Sequence, residues 1–158
     1  MIYSKDLDNA LKRKEINTKL VDKLKRKKPF DLDQKFKELN TQVFEEIDCL
    51  KCANCCKTTS PIFYMKDIER AAKALKMKPS SFIEKYLKVD EDKDYVLKSS
   101  PCTFLDYENY CTIYNDRPTA CREYPHTDRK RMVQILDLTL KNTAICPAVA
   151  RIFTQLPY

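Results

Sequence analysis

Apolar residues along the first thirty positions fall mostly at steps of four, at Leu7, Leu11, Ile16, Leu20 and Leu24, with Val21 widening the stripe. That period predicts an amphipathic helix which Ser4 or Asp6 can cap and Pro29 ends. Asp31 followed by Gln34 is a second start signal, and Phe36, Leu39, Val43 and Ile47 mark one side of a helix that leads into Cys49. Pro61-Ile62-Phe63-Tyr64 reads as a short extended run. Helical spacing returns at Ile68, Ala71, Ala72 and Leu75, and Pro79 suits the first position of a further helix whose buried side is Phe82, Ile83, Tyr86 and Leu87.

The second half of the chain is patterned differently. Asp90-Glu91-Asp92 with Asp94 predicts a solvated loop, and Tyr95-Val96-Leu97 a strand. Cys102-Thr103-Phe104-Leu105 and Tyr110-Cys111-Thr112-Ile113-Tyr114 flank Asp106-Tyr107-Glu108-Asn109, which predicts a β-hairpin with Cys102 and Cys111 facing each other across the pair. Arg117-Pro118 opens a short helix or turn that holds Cys121, and Tyr124-Pro125 closes it. Met132 to Leu140 fits a strand or a helix equally, and the tail from Val149 to Tyr158 is apolar enough to dock. The expected fold class is α+β: a small metal-stabilised domain with helices, a cysteine knot and a short β-hairpin. Residues 1–46 form an N-terminal helical extension and 47–158 a cysteine-cluster metal-binding domain.

Composition narrows the function. The chain of 158 residues contains no glycine, so the glycine-rich loops that let backbone amides cradle phosphates are excluded, Walker A and Rossmann fingerprints among them. Turns with positive φ are expected to fall to Asn and Asp. Nothing approaches ~18 consecutive apolar residues, and the opening Met1-Ile2-Tyr3-Ser4-Lys5-Asp6 has no signal-peptide pattern. A cytoplasmic protein with no membrane association is expected. The formal charge is +7, and residues 1–30 hold ten Lys/Arg against four Asp/Glu. No aromatic residue interleaves Lys23 to Lys28, so the run reads as a solvated helix face, nucleic-acid contact is not expected, and a protein partner stays open.

The chemistry lies in the eight cysteines. Half of them occupy Cys49-x2-Cys52-x2-Cys55-Cys56, where two-residue gaps let thiolates on tight turns point at one ion. Cys55 and Cys56 diverge if extended, which suits them to different sites. Cys146-Pro147 supplies a further candidate. Buried small hydrophobes explain one or two cysteines, not eight in these spacings.

The ordered set Cys49-x2-Cys52-x2-Cys55-Cys56, Pro101-Cys102-Thr103-Phe104-Leu105, Cys111-Thr112-Ile113-Tyr114, Arg117-Pro118, Cys121-Arg122 and Tyr124-Pro125 resembles the YkgJ-like cysteine-cluster family over residues 47 to 148. That family is described as a zinc- or iron-chelating domain. The resemblance implies Cys49, Cys52, Cys55, Cys56, Cys102, Cys111 and Cys121 as metal ligands, with Cys146 joining them. The hairpin turn departs from the family by offering Asp106 and Asn109 in place of glycine. A distant likeness in cysteine pattern to flagellin lysine N-methylases implies a methyl-transfer alternative, although those proteins are larger.

Two cofactors fit the donors. Cys49-x2-Cys52-x2-Cys55 with a distant Cys146-Pro147 has ferredoxin-like spacing and favours an iron–sulfur cluster of the 4Fe-4S type. Zinc in closed four-thiolate sites is the alternative, and would make the protein a structural module that binds protein or nucleic acid. A redox or accessory role and a metal-dependent enzyme both stay open. His126, five positions after Cys121, is a further ligand candidate. Arg117, Arg122 and Tyr124 are suited to neutralising thiolates, and Lys51, Lys57 or Arg122 to activating one as a nucleophile.

Overall fold

The computed structural model describes residues 1–158. In chain order the elements are α1 (Ser4–Lys12), α2 (Lys14–Lys27), α3 (Leu32–Glu46), α4 (Cys49–Cys52), α5 (Asn54–Thr58), α6 (Met65–Ala74), α7 (Pro79–Tyr86), β1 (Leu87–Val89), β2 (Tyr95–Leu97), α8 (Thr119–Glu123), α9 (Leu136–Asn142) and α10 (Pro147–Gln155). Short 3-10 turns at Tyr114–Asp116 and Met132–Ile135 complete them. The fold is α+β, mostly helical with one small antiparallel strand pair. It divides into two compact units, Met1–Cys52 with Pro125–Tyr158, and Ala53–Tyr124.

The first unit joins the two ends of the chain. Its N-terminal stripe does not form one helix, because Leu11 and Ile16 are five positions apart and a continuous helix would carry them to different faces. The chain turns at Arg13 (φ −93°, ψ 9°) between α1 and α2. Ala10, Asn17, Val21 and Leu24 are then buried, while Leu11 and Ile16 stay 72% and 54% exposed. Neither Ser4 nor Asp6 caps α1, which starts after Tyr3 without a side-chain cap. Asp6 instead receives a two-pronged bond from Arg151 of α10, Nε to Oδ1 at 3.1 Å and Nη2 to Oδ2 at 2.9 Å. The Arg151 Nη1 reaches Glu46 Oε2 at 2.7 Å. The apolar tail docks as expected: α10 packs against α1 and α3, with Phe153 edge-on to Phe36 at 6.4 Å between ring centres. Met132 to Leu140 resolves as a 3-10 turn and α9, with Met132 and Leu136 in the core. Arg151→Leu is expected to cost about 1.5 kcal/mol, since a forked guanidinium bond to a half-buried carboxylate is lost. A lowered urea midpoint at unchanged slope would show it.

In the second unit, Pro79 opens α7 as expected, and Ile68, Ala71 and Ala72 of α6 are fully buried. They form a core with Phe63, Phe82, Leu87, Leu97, Phe104 and Ile113, in which Phe82 and Phe104 stack at 5.9 Å. Leu87 is buried as the sequence suggests, but from β1 and not from the helix. The antiparallel pairs are Leu87 with Leu97, Lys88 with Val96 and Val89 with Tyr95. Asp90 closes this hairpin, its Oδ1 accepting the amides of Asp92 and Asp94, each at 2.9 Å. The acidic patch is thus a turn-former as well as a solvated loop.

The hairpin expected over 102–114 reduces to one antiparallel bridge, Leu105 with Cys111. Its turn forms with the expected residues: Asp106 Oδ1 accepts the amides of Glu108 and Tyr110, each at 2.9 Å, and Asn109 takes φ 64°. Beyond the bridge the chain tightens into the 3-10 turn at Tyr114–Asp116, so no strand extends. Asn109 is the one Asn or Asp at positive φ; the others are Lys28, Ala53, Lys76, Lys93, His126 and Arg131. Two of the lysines end helices. Lys28 donates its amide to Leu24 at 2.8 Å, and Lys76 to Lys73 at 3.1 Å. Those bonds satisfy last-turn carbonyls and offset a left-handed cost of roughly 1–2 kcal/mol per residue.

Candidate metal centre

Three cysteines belong to the first unit. The α3 helix ends at Glu46, Ile47 turns extended (φ −103°, ψ 120°), and Asp48 starts α4 by accepting the Leu50 amide on Oδ1 at 3.0 Å and the Cys52 amide on its carbonyl at 3.0 Å. Cys49 and Cys52 therefore sit at the two ends of one helical turn, Cys49 exposed and Cys52 buried. Cys146 is the residue before α10, held by its amide to Asn142 at 2.8 Å. Burial pushes its thiol up to about 12, against the pull of the Val149 and Ala148 amides, and Cys49 and Cys52 raise it further by charge repulsion. The first unit thus holds cysteines from opposite ends of the sequence.

The other five lie in the second unit. Ala53, at φ 48°, breaks the helix after Cys52, and α5 presents Cys55 and Cys56 as adjacent residues about 100° apart around its axis. The Cys56 carbonyl accepts the Cys102 amide at 2.7 Å, which ties α5 to the segment before the bridge. Cys111 occupies the bridge itself, and Cys121 lies in α8. Cys102 and Cys111 both pack against the apolar core of this unit. No group of three or more His, Cys, Asp or Glu side chains is placed so that it could hold a metal ion. Longer-range electrostatics still link the four thiols. Burial lifts Cys121 to about 12, and Cys56, Cys102 and Cys111 lift it further. Burial likewise raises Cys102 and Cys111, each of which feels Cys56.

Charge on the thiols is controlled by few groups. Arg117 lowers Cys111 and Cys121, partly offsetting their burial; its Nη1 donates to the Tyr114 carbonyl at 2.6 Å and its guanidinium lies 4.0 Å from the centre of the Tyr114 ring. Arg122 is engaged elsewhere, with Nη2 on the Asn115 carbonyl at 2.7 Å. Lys51 lies 4.0 Å from Asp48 on an exposed surface. His126 is half-buried at φ 64° in the first unit. Cys56 moves opposite to its neighbours, down to about 7, because the Cys55 thiol hydrogen-bonds to it; its own amide and Lys57 help, against burial. In metal-free protein, iodoacetamide is therefore expected to label Cys56 first, at a rate that rises with pH around 7 as thiolate forms. Cys121 and Cys146 stay protonated until pH approaches about 12, and prior labelling of either would contradict this order.

One buried carboxylate positions this centre and is not among the residues that cysteine spacing singles out. Asp67 is 1% exposed. Its Oδ2 accepts the Tyr64 amide at 3.0 Å, and its Oδ1 accepts Arg70 Nη2 at 2.9 Å, the Thr119 amide at 3.0 Å and the Thr119 hydroxyl at 2.9 Å. Arg70 Nη2 continues to the Arg117 carbonyl at 2.8 Å. Asp67 thus starts α6 and also fixes the first turn of α8, the helix that carries Cys121. A legible signal existed: an acid at the third position of a predicted helix reaches back to the capping amide.

Two recesses of the second unit are lined mainly by residues other than cysteine. One of about 720 Å³ is lined by Glu69, Lys73, Met77 and Pro79 among others. Another of about 210 Å³ touches Cys111 but no other cysteine.

A small α+β fold in which cysteines from distant sequence positions gather on short elements defines the class of thiol-rich chelating domains. The chain belongs to the CxxCxxCC family, whose model, described as "Putative zinc- or iron-chelating domain", matches residues 48–147. No curated protein and no solved structure matches the chain.

Proposed function

We propose that this protein chelates metal through two separate thiolate groups, and that the group in the second unit, Cys56, Cys102, Cys111 and Cys121, takes one zinc ion in a structural role. The observation that carries the reading is that Cys102 is tied to Cys56, amide to carbonyl at 2.7 Å, and packs with Cys111 against one core, while Asp67 holds the helix that carries Cys121. Four soft donors match a tetrahedral zinc site, and a closed site of that kind contributes folding energy and no open coordination position. The protein's own residues support it: Arg117 offsets the negative charge, and Asp67 holds α8 in place. When bound, zinc would fasten four short elements that share one modest core.

A second reading attaches to the first unit. Cys49, Cys52 and Cys146 there are three of the four cysteines of the ferredoxin-like pattern, whose remaining member, Cys55, belongs to the second unit. An iron–sulfur cluster in this group would give the protein a redox or accessory role. Thiolate ligation of either kind suits the reducing cytoplasm. Metal content of single variants tests the division. Cys102→Ser is expected to remove one metal centre per chain and Cys146→Ser the other; loss of the same centre by both would contradict two groups.

A further inference from the structure

Phe30, in the corner between α2 and α3, is 102% exposed. A single exposed ring is ordinary by itself, but charged residues surround this one. On one side lies the end of α2, with Lys25, Arg26, Lys27 and Lys28 all exposed and Lys25 tied to Asp137 at 2.8 Å. On the other side the structure adds a second basic run from far along the chain. Asp33, at the start of α3, accepts the Arg131 amide on Oδ2 at 2.7 Å and the Met132 amide on Oδ1 at 2.8 Å. Those two bonds bring the exposed residues Arg129, Lys130 and Arg131 to the same corner, all within the first unit.

The carboxylates nearest the ring are turned to internal use. Asp33 is occupied as described, and Asp31 accepts the Tyr158 hydroxyl at 2.7 Å. Exposed Asp128 is the one acid in the returning loop beside the three cations. The corner therefore combines an exposed aromatic ring with two positive runs. From the sequence, the lysine run without an interleaved aromatic reads as a solvated face; the fold supplies both the aromatic and the second run.

We infer that this corner binds a single-stranded nucleic acid, with a base stacked on Phe30 and the flanking phosphates on Lys27, Lys28, Lys130 and Arg131. Stacking needs only one ring to be effective, and cations on both sides follow a backbone that passes over it. An anionic lipid surface is the competing partner for such charge. It is disfavoured because interfacial insertion uses an apolar face of several side chains, whereas the exposed large apolar residues near this corner are Phe30 and Leu138, which follows the Asp137 that Lys25 bonds. The inference does not rest on the metal reading.

The test is fluorescence anisotropy of labelled 12-nucleotide oligo-U and oligo-dT with the full chain as purified, metal included. Binding is expected with log K falling against log salt at a slope of about −3, for four phosphates at roughly −0.7 each. Phe30→Ala should weaken binding about tenfold and Phe30→Tyr should retain it. The double variant Lys27→Glu with Lys130→Glu should weaken it more than tenfold and flatten the slope, whereas Lys66→Glu on exposed α6 should leave it unchanged. No binding of either oligomer at about 100 µM protein overturns the inference. So does an unchanged affinity in Phe30→Ala, which would mean unspecific attraction by lysines. Flotation with phosphatidylserine vesicles that depends on Phe30, in the absence of oligonucleotide binding, would assign the corner to membranes and overturn it as well.

Discussion

Stripping the metal from this protein with a chelator is expected to unfold the second unit while the helices of the first persist. The second unit closes one small core around Phe82 and Phe104, and Cys56, Cys102, Cys111 and Cys121 are distributed over the segments that surround it. Structural zinc sites have apparent binding free energies of roughly 10–16 kcal/mol, as large as the whole stability of a typical domain. Hydrogen exchange would resolve the units: amides of Ile68, Phe82 and Leu97 should lose protection on chelation, and those of Phe36, Val43 and Ile152 should keep it. Uptake should release protons, because Cys121 is protonated up to about 12 in the metal-free state and must ionise to bind. Affinity is therefore expected to rise with pH. Unchanged protection throughout the second unit would show that its core folds without the ion.

Asp67→Ala is expected to lower stability by about 3 kcal/mol. It strands the amides of Tyr64 and Thr119, and leaves Arg70 without its carboxylate, in a site that is 1% exposed. Burial alone would raise the Asp67 pKa, but the amides of Tyr64 and Thr119, then Arg70 and the Thr119 hydroxyl, outweigh it and hold the carboxyl below its usual range. The sign follows. The unfolded chain takes up the proton first as pH falls, so this stabilisation is complete above the ordinary aspartate range and is lost as pH drops through the lower folded value. Urea midpoints between pH 7 and pH 3 should thus fall for the native chain and fall less for Asp67→Ala. Since Asp67 also fixes α8, the variant should hold its second-unit metal more weakly.

Much of the fold is legible because periodicity and capping are local. Pro79, Phe36 with Val43, and Ile68 with Ala71 and Ala72 each mark an element and its buried side. The breakdowns occur where distant packing decides. Leu11 and Ile16 look like core in a single helix, but α1 packs on α10 and α2 on α9, and both residues stay exposed. Tyr110–Tyr114 has strand composition, but the 3-10 turn that follows leaves room for one bridge, and β2 pairs instead with residues that helical spacing had claimed. For the site, adjacency in sequence is a poor guide. The C-x2-C-x2-C-C knot reads as one cluster, yet Cys49 and Cys52 belong to the first unit with Cys146, and Cys55 and Cys56 to the second with Cys102, Cys111 and Cys121. The helix break at Ala53, φ 48°, falls between the two halves of the knot.

The account turns on what the thiols hold. The most direct measurement is the metal and acid-labile sulfide content of protein purified without oxygen, with an absorption spectrum on the same sample and on Cys102→Ser. Zinc near one equivalent in the wild type that disappears in Cys102→Ser, with no sulfide lost alongside it, is the predicted result. Iron and sulfide that disappear with Cys102→Ser, together with a brown absorption band, would contradict a structural zinc in the second unit and place an iron–sulfur cluster there instead.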